Sequence, residues 1–321
     1  MTATPLTIPR SKVALNPIQW FSRKADPSDP DSADLWLIAD PAFRADYPGI
    51  LMDVKRAGWD TVMLGVLETQ TLQDFGRMVD AAGLALAPGY AAIDVPPELP
   101  ATGTAERVHL FDGIRRAAEE SAYFGLDTIF LAPALTWHPW DVRTLEATAV
   151  GAGFDQARLE RVTEALGEAS DVLAAEGVRA GLHNHIGSWV ETVAEIDYVL
   201  GAIAPERMGA SFDIGHIAWL GEDAGEVIAR HADRVIDLHV KDLNLEVAAL
   251  SRATPTHYAW GPSRGLFTEP GDGDLDLVGI LSRLPEGWDG WVIVEQDLTM
   301  LDPYDSAVRC AQWADATFRA A

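Results

Sequence analysis

The feature that most restricts the fold of this chain is a regular alternation of short β-rich runs with longer segments of helical period. Eight runs are expected to be strands, at residues 12–20, 61–65, 84–90, 127–133, 178–184, 208–215, 234–242 and 291–297. Several follow a helix that ends in a small residue and glycine, as in RAGWD, AAGLA, YFGLD and AEGVR, where the glycine supplies a left-handed cap. The repeated pattern predicts an α/β fold, a (β/α)8 TIM barrel.

The segments between the strands support the barrel over other α/β folds. Amphipathic helices are expected at 105–124, 155–176, 192–203 and 223–231, with a last helix over 302–319. A doubly wound dinucleotide-binding sheet would need a glycine-rich fingerprint after the first strand, and LNPIQWFSRK has none. No shift in composition marks a domain boundary, so we expect one TIM-barrel domain over residues 1–321.

Two connections are longer than the others, at 21–41 and at about 244–276. The second lies between the seventh strand and its helix. Loops that follow strands lie on the active-site face of a barrel, so this insertion is a candidate lid. A disordered loop or an oligomer contact is the alternative.

Composition excludes several classes of partner. The net charge is −25, with 49 acidic and 24 basic side chains, which disfavours binding to nucleic acid or to an anionic membrane. The opening residues lack an apolar signal region, and no apolar run approaches the roughly 18 residues that cross a bilayer. We therefore expect a soluble cytoplasmic protein. The single cysteine, Cys310, allows no intramolecular disulfide and is expected to be a buried or half-buried side chain.

The last four predicted strands end in residues that bind metals or protons. They supply His183 and His185, Asp213 and His216, His239 with Lys241 and Asp242, and Glu295 with Asp297. Taken singly, a strand-end aspartate is usually a helix cap, and a histidine on an apolar run is usually a core residue. Four adjacent strands with such residues at one level favour a site. Mixed nitrogen and oxygen donors suit Mn²⁺, Co²⁺, Zn²⁺ or Fe²⁺, and the lack of thiolates argues against a purely structural zinc.

The sequence around these residues resembles a known family. The motifs HNHIGSWVET, FDIGH, LHVKD, FTEPGDGDLD and WVIVEQD are similar to those of the xylose-isomerase-like TIM barrels, in particular inosose dehydratase and its sugar isomerase/epimerase relatives. The likeness runs from NPIQW near the start to the last helix and is densest over 178–297. FDIGH and HVKD are shared across the superfamily, whereas the His-x-His-x-Gly motif with FTEPGDGD points to the dehydratase branch.

The resemblance implies one divalent metal ion held by His183, Asp213, His239 and Glu295, with Mn²⁺ or Co²⁺ expected before Zn²⁺, Mg²⁺ or Fe²⁺. The family's epimerases have a glutamate at the position of His183, where it is both a ligand and an acid/base group. The dehydratases resemble this chain in having histidine there, which favours a lyase. Glu191 could reach back and restore a carboxylate, so the ligand from strand five is left open between His183 and Glu191. The alternative role of Glu191 is that of an acid at a helix N-terminus.

A further set of residues is predicted to contact the substrate. The aromatic residues Trp20, Trp137, Trp140 and Trp189 are either stacking walls for a sugar ring or ordinary core. Further candidates are Glu68, Glu191, Arg264, Glu269 and Asp272, the last two in a turn that Gly and Asp also explain. The dehydratases have a Gly-Thr-Glu pattern at the end of strand two, where this chain has TVMLG with Met63. The substrate therefore need not be inosose.

Acid–base roles follow from position. Residues two apart in a strand point the same way, so His185 faces the mouth with His183 and is the expected base. His216 is the expected acid or substrate anchor, or else it orients a ligand. Lys241 is expected to stabilise an oxyanion, or to pair with Asp242 or Glu295.

These residues predict a divalent-metal-dependent carbon–oxygen lyase that acts on a keto-sugar or inosose through a metal-stabilised enolate. β-Elimination of a glycoside from a 3-keto-sugar fits the same chemistry. The alternative is a ketose 3-epimerase or an aldose–ketose isomerase with the same metal site. Charge and the lack of extra histidines disfavour an abasic-site endonuclease. A non-catalytic sugar-binding protein would be expected to lack some strand-end ligands, and all four are present. A homo-oligomer is expected.

Overall fold

The computed structural model describes residues 6–26, 28–135 and 142–319. Trp137 and Trp140 lie outside the described residues. The strands in chain order are β1 (Leu6–Pro9), β2 (Val13–Leu15), β3 (Ser22–Lys24), β4 (Asp34–Trp36), β5 (Thr61–Met63), β6 (Ala85–Ala87), β7 (Tyr90–Ile93), β8 (Thr128–Pro133), β9 (Arg179–Leu182), β10 (Met208–Asp213), β11 (Val235–Val240), β12 (Asp242–Leu243), β13 (Phe267–Thr268), β14 (Trp291–Val294) and β15 (Phe318–Arg319).

The helices pack around these strands. In chain order they are α1 (Pro41–Arg56), α2 (Leu72–Ala82), α3 (Ala105–Leu110), α4 (Asp112–Tyr123), α5 (Val142–Leu145), α6 (Gln156–Ala175), α7 (Val193–Ala202), α8 (Ile214–Trp219), α9 (Ala224–Arg230), α10 (Leu245–Ala253), α11 (Leu277–Leu281) and α12 (Pro303–Thr317). Short 3-10 turns cover Arg10–Lys12, Pro17–Trp20, Leu37–Ala39, Ala232–Arg234, Tyr258–Trp260 and Pro262–Arg264. Within the described ranges, no helix combines the length and the apolar character needed to cross a bilayer.

Nine of the strands form one parallel sheet, in the order β6-β5-β2-β14-β11-β10-β9-β8-β7. Only Pro88 and Gly89 separate β6 from β7, so the chain itself joins the two ends of the sheet. The sheet closes into a ring of eight staves, where a stave is one barrel strand or, at the third position, the consecutive strands β6 and β7. The predicted TIM barrel is confirmed.

The third stave differs from the prediction of one strand at 84–90. Its first half, β6, pairs with β5, and its second half, β7, pairs with β8. At the break, the Gly89 carbonyl accepts from the Phe130 amide at 3.0 Å. A Cβ at Gly89 would lie 3.0 Å from the Leu64 carbonyl oxygen, so glycine permits the close passage of the two segments.

Side-chain caps begin most of the predicted helices. Thr192 and Glu195 form a capping box at α7, and aspartates at 155, 223 and 302 cap α6, α9 and α12. Among the predicted helices, two differ from the structure by an interruption or by more than one residue at an end. The helix expected at 105–124 is interrupted at the buried Phe111. The end of the last predicted helix is β15, which pairs in parallel with β1.

The insertion after β11 is folded in this structure. It contains α10, two 3-10 turns and β13, and β13 pairs antiparallel with β12. Trp219, Leu243, Leu266 and Phe267 form its buried cluster. The Thr256 carbonyl accepts from both the amide and the hydroxyl of Thr148, at 3.0 and 3.1 Å. The other long connection, at 21–41, forms the antiparallel β3–β4 pair.

Candidate active site

The carboxyl ends of β9, β10, β11 and β14 bring the predicted strand-end residues together. Asp213 lies beside His239 in the sheet register. One ligand atom each from His183, Asp213 and His239 lies within 4.8 Å of the others, and all three residues are buried. His185, His216 and Asp297 form a second group with the same spacing.

The imidazoles of the first group are oriented by their neighbours. His183 Nδ1 lies 3.2 Å from the Ser211 carbonyl, so it donates and leaves Nε2 with its lone pair. His239 Nδ1 lies 2.8 Å from Glu295 Oε2. The other His239 nitrogen, Nε2, is buried and has no hydrogen-bond partner among the described residues. Both rings therefore offer a nitrogen to a ligand. Glu295 Oε1 in turn accepts from the Asn16 side-chain amide.

Lys241 occupies the centre of three carboxylates. Its ammonium donates to Asp213 Oδ2 and Glu295 Oε2 and lies 3.3 Å from Asp297 Oδ1. Burial opposes its charge, but these carboxylates outweigh burial and raise the pKa of Lys241 well above its usual value. One ammonium among three carboxylates leaves a formal charge of −2 around it.

The donor set fits a divalent cation. Burial, with the nearby His239 and Lys241, holds the pKa of His183 well below its usual value, so its imidazole is neutral and can ligate. The buried, unpartnered His239 Nε2 lacks the partner that such a nitrogen normally has. Nitrogen and carboxylate donors without thiolates suit Mn²⁺, Co²⁺, Zn²⁺ or Fe²⁺.

The second group consists of two neutral imidazoles beside a carboxylate. The rings of His185 and His216 lie 3.9 Å apart. Burial lowers the pKa of His185 to about 3 and holds that of His216 well below its usual value. His185 Nδ1 donates to the Ile186 carbonyl at 2.7 Å, which leaves Nε2 free to accept a proton. Both ring nitrogens of His216 are buried without a hydrogen-bond partner in the described part of the chain. Burial also raises the pKa of Asp297 to about 6.

Comparison with known proteins places this fold in a family. A family model described as the xylose isomerase-like TIM barrel matches residues 51–312. The chain belongs to this family.

The chain is also similar to two individual proteins, with which it aligns over different lengths. An inosose dehydratase of Lacticaseibacillus casei is 33% identical over 167 residues, which are 51% of this chain and 56% of that protein. The chain therefore aligns with only about half the length of that relative. The rhizopine catabolism protein MocC of Rhizobium meliloti is 27% identical over 299 residues, which cover 89% of this chain and 81% of MocC.

Two solved structures share the fold at lower identity. The IOLI protein with a bound zinc atom has a TM-score of 0.61 and 13% identity, covering 95% of this chain and 97% of its own. The D-allulose 3-epimerase of Methylomonas sp. in complex with D-allulose has a TM-score of 0.65 and 12% identity, covering 98% of this chain and all of its own. At these identities the likeness concerns the fold alone.

In this family member, several residues predicted to contact substrate have hydrogen-bond partners within the protein. The buried Glu191 carboxylate accepts from the backbone amides of Gly151 and Gly187, at 2.9 and 2.7 Å. Glu191 therefore links two loops. Strand β9 is instead followed by His183, which belongs to the first group (His183, Asp213 and His239), called the ligand group from here on. The Glu269 carboxylate accepts from the Thr299 hydroxyl at 2.7 Å.

The remaining candidates make no described hydrogen bond, ion pair or ring contact with the ligand group. Arg264 pairs with Asp31 and stacks on Trp260 at 4.6 Å. Trp20 is half-buried against the main core, and Glu68 is exposed after β5.

Three further residues have other partners. Trp189 is buried beneath the guanidinium groups of two arginines, at 4.7 and 5.3 Å. Asp272 pairs with Arg309. Asp242 accepts from the backbone amides of Gly271, Gly273 and Leu275 in the FTEPGDGDLD segment rather than pairing with Lys241.

Three residues at the site were not predicted from the sequence. Asn16 directly follows β2 and donates to Glu295, so the strand-end rule applied to the first stave would have found it. The Tyr90 ring lies 5.3 Å from that of His183 and is 39% exposed, which places it at the accessible side of the mouth. The Tyr258 hydroxyl donates to Asp297 Oδ2 at 2.6 Å. Tyr258 lies in the insertion, where no periodic pattern indicates its position.

Proposed function

We propose that this chain is a divalent-metal-dependent carbon–oxygen lyase that acts on a keto-sugar or inosose. The observation that carries the proposal is the adjacency of the two groups: a ligand set around His183, Asp213 and His239 lies directly beside the neutral imidazole pair of His185 and His216. Similarity to inosose dehydratases and to MocC supports this reaction class.

In this proposal His183, Asp213, His239 and Glu295 hold the cation, with Mn²⁺ or Co²⁺ favoured and Zn²⁺, Mg²⁺ or Fe²⁺ as alternatives. When bound, the cation acts as a Lewis acid toward negative charge that develops on the ketone oxygen. The zinc of the IOLI structure supports a metal in a barrel of this fold.

The imidazole pair moves the proton. His185 removes a proton from the carbon next to the ketone. The His185–His216 pair, whose ring centroids lie 3.9 Å apart, then delivers that proton to the departing β-hydroxyl, with His216 as the acid or the substrate anchor. One C–H and one C–O bond break, a C=C bond forms and water leaves, so both histidines return to the neutral state.

Lys241 contributes a fixed positive charge. Its ammonium is completely buried and keeps its proton because of the carboxylates around it. It balances the carboxylates of the ligand set and adds positive potential where the substrate oxyanion forms.

The second candidate is a ketose 3-epimerase or an aldose–ketose isomerase. The close His185–His216 pair favours it as an alternative, since the same two imidazoles can return a proton to carbon instead of delivering it to a hydroxyl. A homo-oligomer and a cytoplasmic location stay predictions.

The deciding experiment combines metal analysis of the purified protein with mass spectrometry of incubations. The substrates are inosose and 3-keto-glycosides. Elimination gives loss of water or alcohol from the substrate and an enone-type absorbance, whereas epimerisation conserves mass. Protein without a divalent metal, or metal-loaded protein that yields neither product class, would contradict the proposal.

A further inference from the structure

Tyr258 reaches the site from outside the barrel strands. Its hydroxyl donates to Asp297 Oδ2 at 2.6 Å, and its ring lies 5.3 Å from His185 and 6.3 Å from His216. Tyr258 therefore contacts every member of the second group. No other described residue of the 244–276 insertion donates a hydrogen bond to that group.

The insertion fixes the position of Tyr258 from two sides. Two residues before it, the Thr256 carbonyl accepts two hydrogen bonds from Thr148. On the other side, the Tyr258 ring packs 5.5 Å from Trp219, whose indole donates to the Ser251 hydroxyl of α10. A side chain anchored in this way can hold its neighbours in place.

The neighbour that it holds is the Asp297 carboxylate. Oδ1 of Asp297 lies 3.3 Å from Lys241, and Oδ2 accepts the Tyr258 hydroxyl. The nearest His216 nitrogen, Nε2, lies 3.8 Å from that same Oδ2, beyond hydrogen-bond range. Asp297 is held by Tyr258 and Lys241 and forms no hydrogen bond with His216, whose two ring nitrogens are buried without a partner among the described residues.

We propose that Tyr258 is a positioning residue of the His185–His216 pair. Its ring packs against both imidazoles, and its hydroxyl holds the Asp297 carboxylate so that it does not form a hydrogen bond with His216. The inference rests on the proposed function, because it assigns these imidazoles to proton transfer. In this proposal the 244–276 insertion contributes a residue to the reaction site, in addition to any role as a lid.

The test is Tyr258→Phe, which keeps the ring and removes the hydroxyl. Asp297 is then free to turn toward His216, so kcat should fall about tenfold, the scale of one hydrogen bond to a charged group. KM should stay within about twofold and metal content should not change, because in this proposal Tyr258 touches neither substrate nor metal. The matched control is Tyr47→Phe, which removes a tyrosine hydroxyl that donates to the Gly65 carbonyl at 3.0 Å in the main core. Its kcat should equal that of the wild type.

A wild-type kcat in Tyr258→Phe would overturn the positioning role and leave the proposed function standing. An equal fall in Tyr47→Phe would also overturn it, because loss of any buried tyrosine hydroxyl would then suffice.

Imidazole ¹⁵N NMR provides a readout that does not depend on turnover. Tyr258→Phe should move the ring signals of His185 and His216 but not those of His231, which pairs with Asp197 at 2.8 Å. If metal-loaded wild type converts none of the keto-sugars, the proposed function fails and these signals alone decide. Unmoved His185 and His216 signals would then overturn the positioning role.

Discussion

The two halves of the barrel mouth have opposite chemistry although the same alternating backbone builds both. The half formed by β9, β10, β11 and β14 ends in His183, Asp213, His239, Lys241 and Glu295, which are all buried. The other half lines the interior mainly with small or apolar residues, Ala14, Met63, Ala87 and Phe130, which pack with Ile293, and it adds the neutral side chains of Asn16 and Tyr90 at the site. One half carries the ionisable groups, and the other supplies the dry wall that strengthens their interactions.

Phe130 shows how the halves work together. Its ring lies 4.0 Å from His239 and 5.7 Å from His183, so the apolar wall packs directly against both imidazoles of the ligand group. Packing of this kind restricts the orientations of the two rings. The comparison therefore predicts large chemical effects from one half and small, mostly structural effects from the other.

The largest effect is expected for Asp213→Asn. Asparagine can still cap α8, where Asp213 accepts from the His216 amide at 3.1 Å, so the fold should persist. The neutral amide removes one of the charges that hold a cation and Lys241. Bound metal should be lost and kcat/KM should fall by at least about 10⁴-fold. Metal analysis and product assays measure both, with circular dichroism as the control for folding. Retained metal would remove Asp213 from the ligand set.

His185→Ala should keep the metal and lose most of the rate. The ring is the proposed base, and removing a general base costs on the order of 10³-fold in kcat. A rate near that of the wild type, measured at equal metal content, would take His185 out of the mechanism and weaken the division between ligand group and imidazole pair.

The third prediction concerns Asp237, a buried carboxyl group of the charged half that lies below the site on β11. It asks whether ionisation of this group changes the free energy of unfolding. Burial raises the pKa of Asp237 to about 7. The folded chain then binds this proton more tightly than the unfolded chain, so the free energy of unfolding falls as the pH rises from about 4 to about 7. Between pH 5 and pH 8 this loss is about 3 kcal/mol.

Asp237→Asn has no such ionisation. Its advantage in unfolding free energy over the wild type should therefore grow by about that 3 kcal/mol from pH 5 to pH 8. Urea unfolding at the two pH values measures the change, with the exposed Asp233→Asn as the matched control. An advantage that is equal at both values would show that the carboxyl of Asp237 titrates alike in the folded and unfolded chains.

The smallest effect is expected in the apolar half, for Met63→Leu. The substitution conserves volume in the cluster with Ala14 and Phe130, so it should lower the free energy of unfolding by less than about 1.5 kcal/mol. Turnover should stay within about twofold. A large loss of turnover at unchanged stability would mean that this half takes part in the chemistry and would break the comparison.

The sequence predicted the positions of residues correctly where a periodic pattern determines the ends of the strands. The positions of His183, Asp213, His239 and Glu295 follow from the ends of apolar runs, because parallel strands meet at one edge. The interrupted third stave was missed because its break depends on a close passage between Gly89 and Leu64, which no local pattern records.

Loops explain most of the remaining differences. Glu191 and Glu269 resemble site acids in sequence, yet backbone amides and the Thr299 hydroxyl take up their oxygens. Tyr258 resembles an ordinary loop aromatic, and only the folded insertion brings it to Asp297. A charged loop residue has many possible partners, and the choice among them depends on tertiary packing that the sequence pattern does not describe.

The hydrogen bond from Asn16 to Glu295 links the first stave to the last, across 279 positions of the chain. The pairing of β2 with β14 spans the same separation, so it belongs to the slow, high-contact-order class of folding events. The Glu295 carboxylate therefore gains its amide partner only when the ring closes. A fragment that lacks the first stave should leave Glu295 without this hydrogen bond, and a fragment that lacks the last stave loses Glu295 itself. If Glu295 holds a metal as proposed, metal affinity should emerge together with ring closure during refolding.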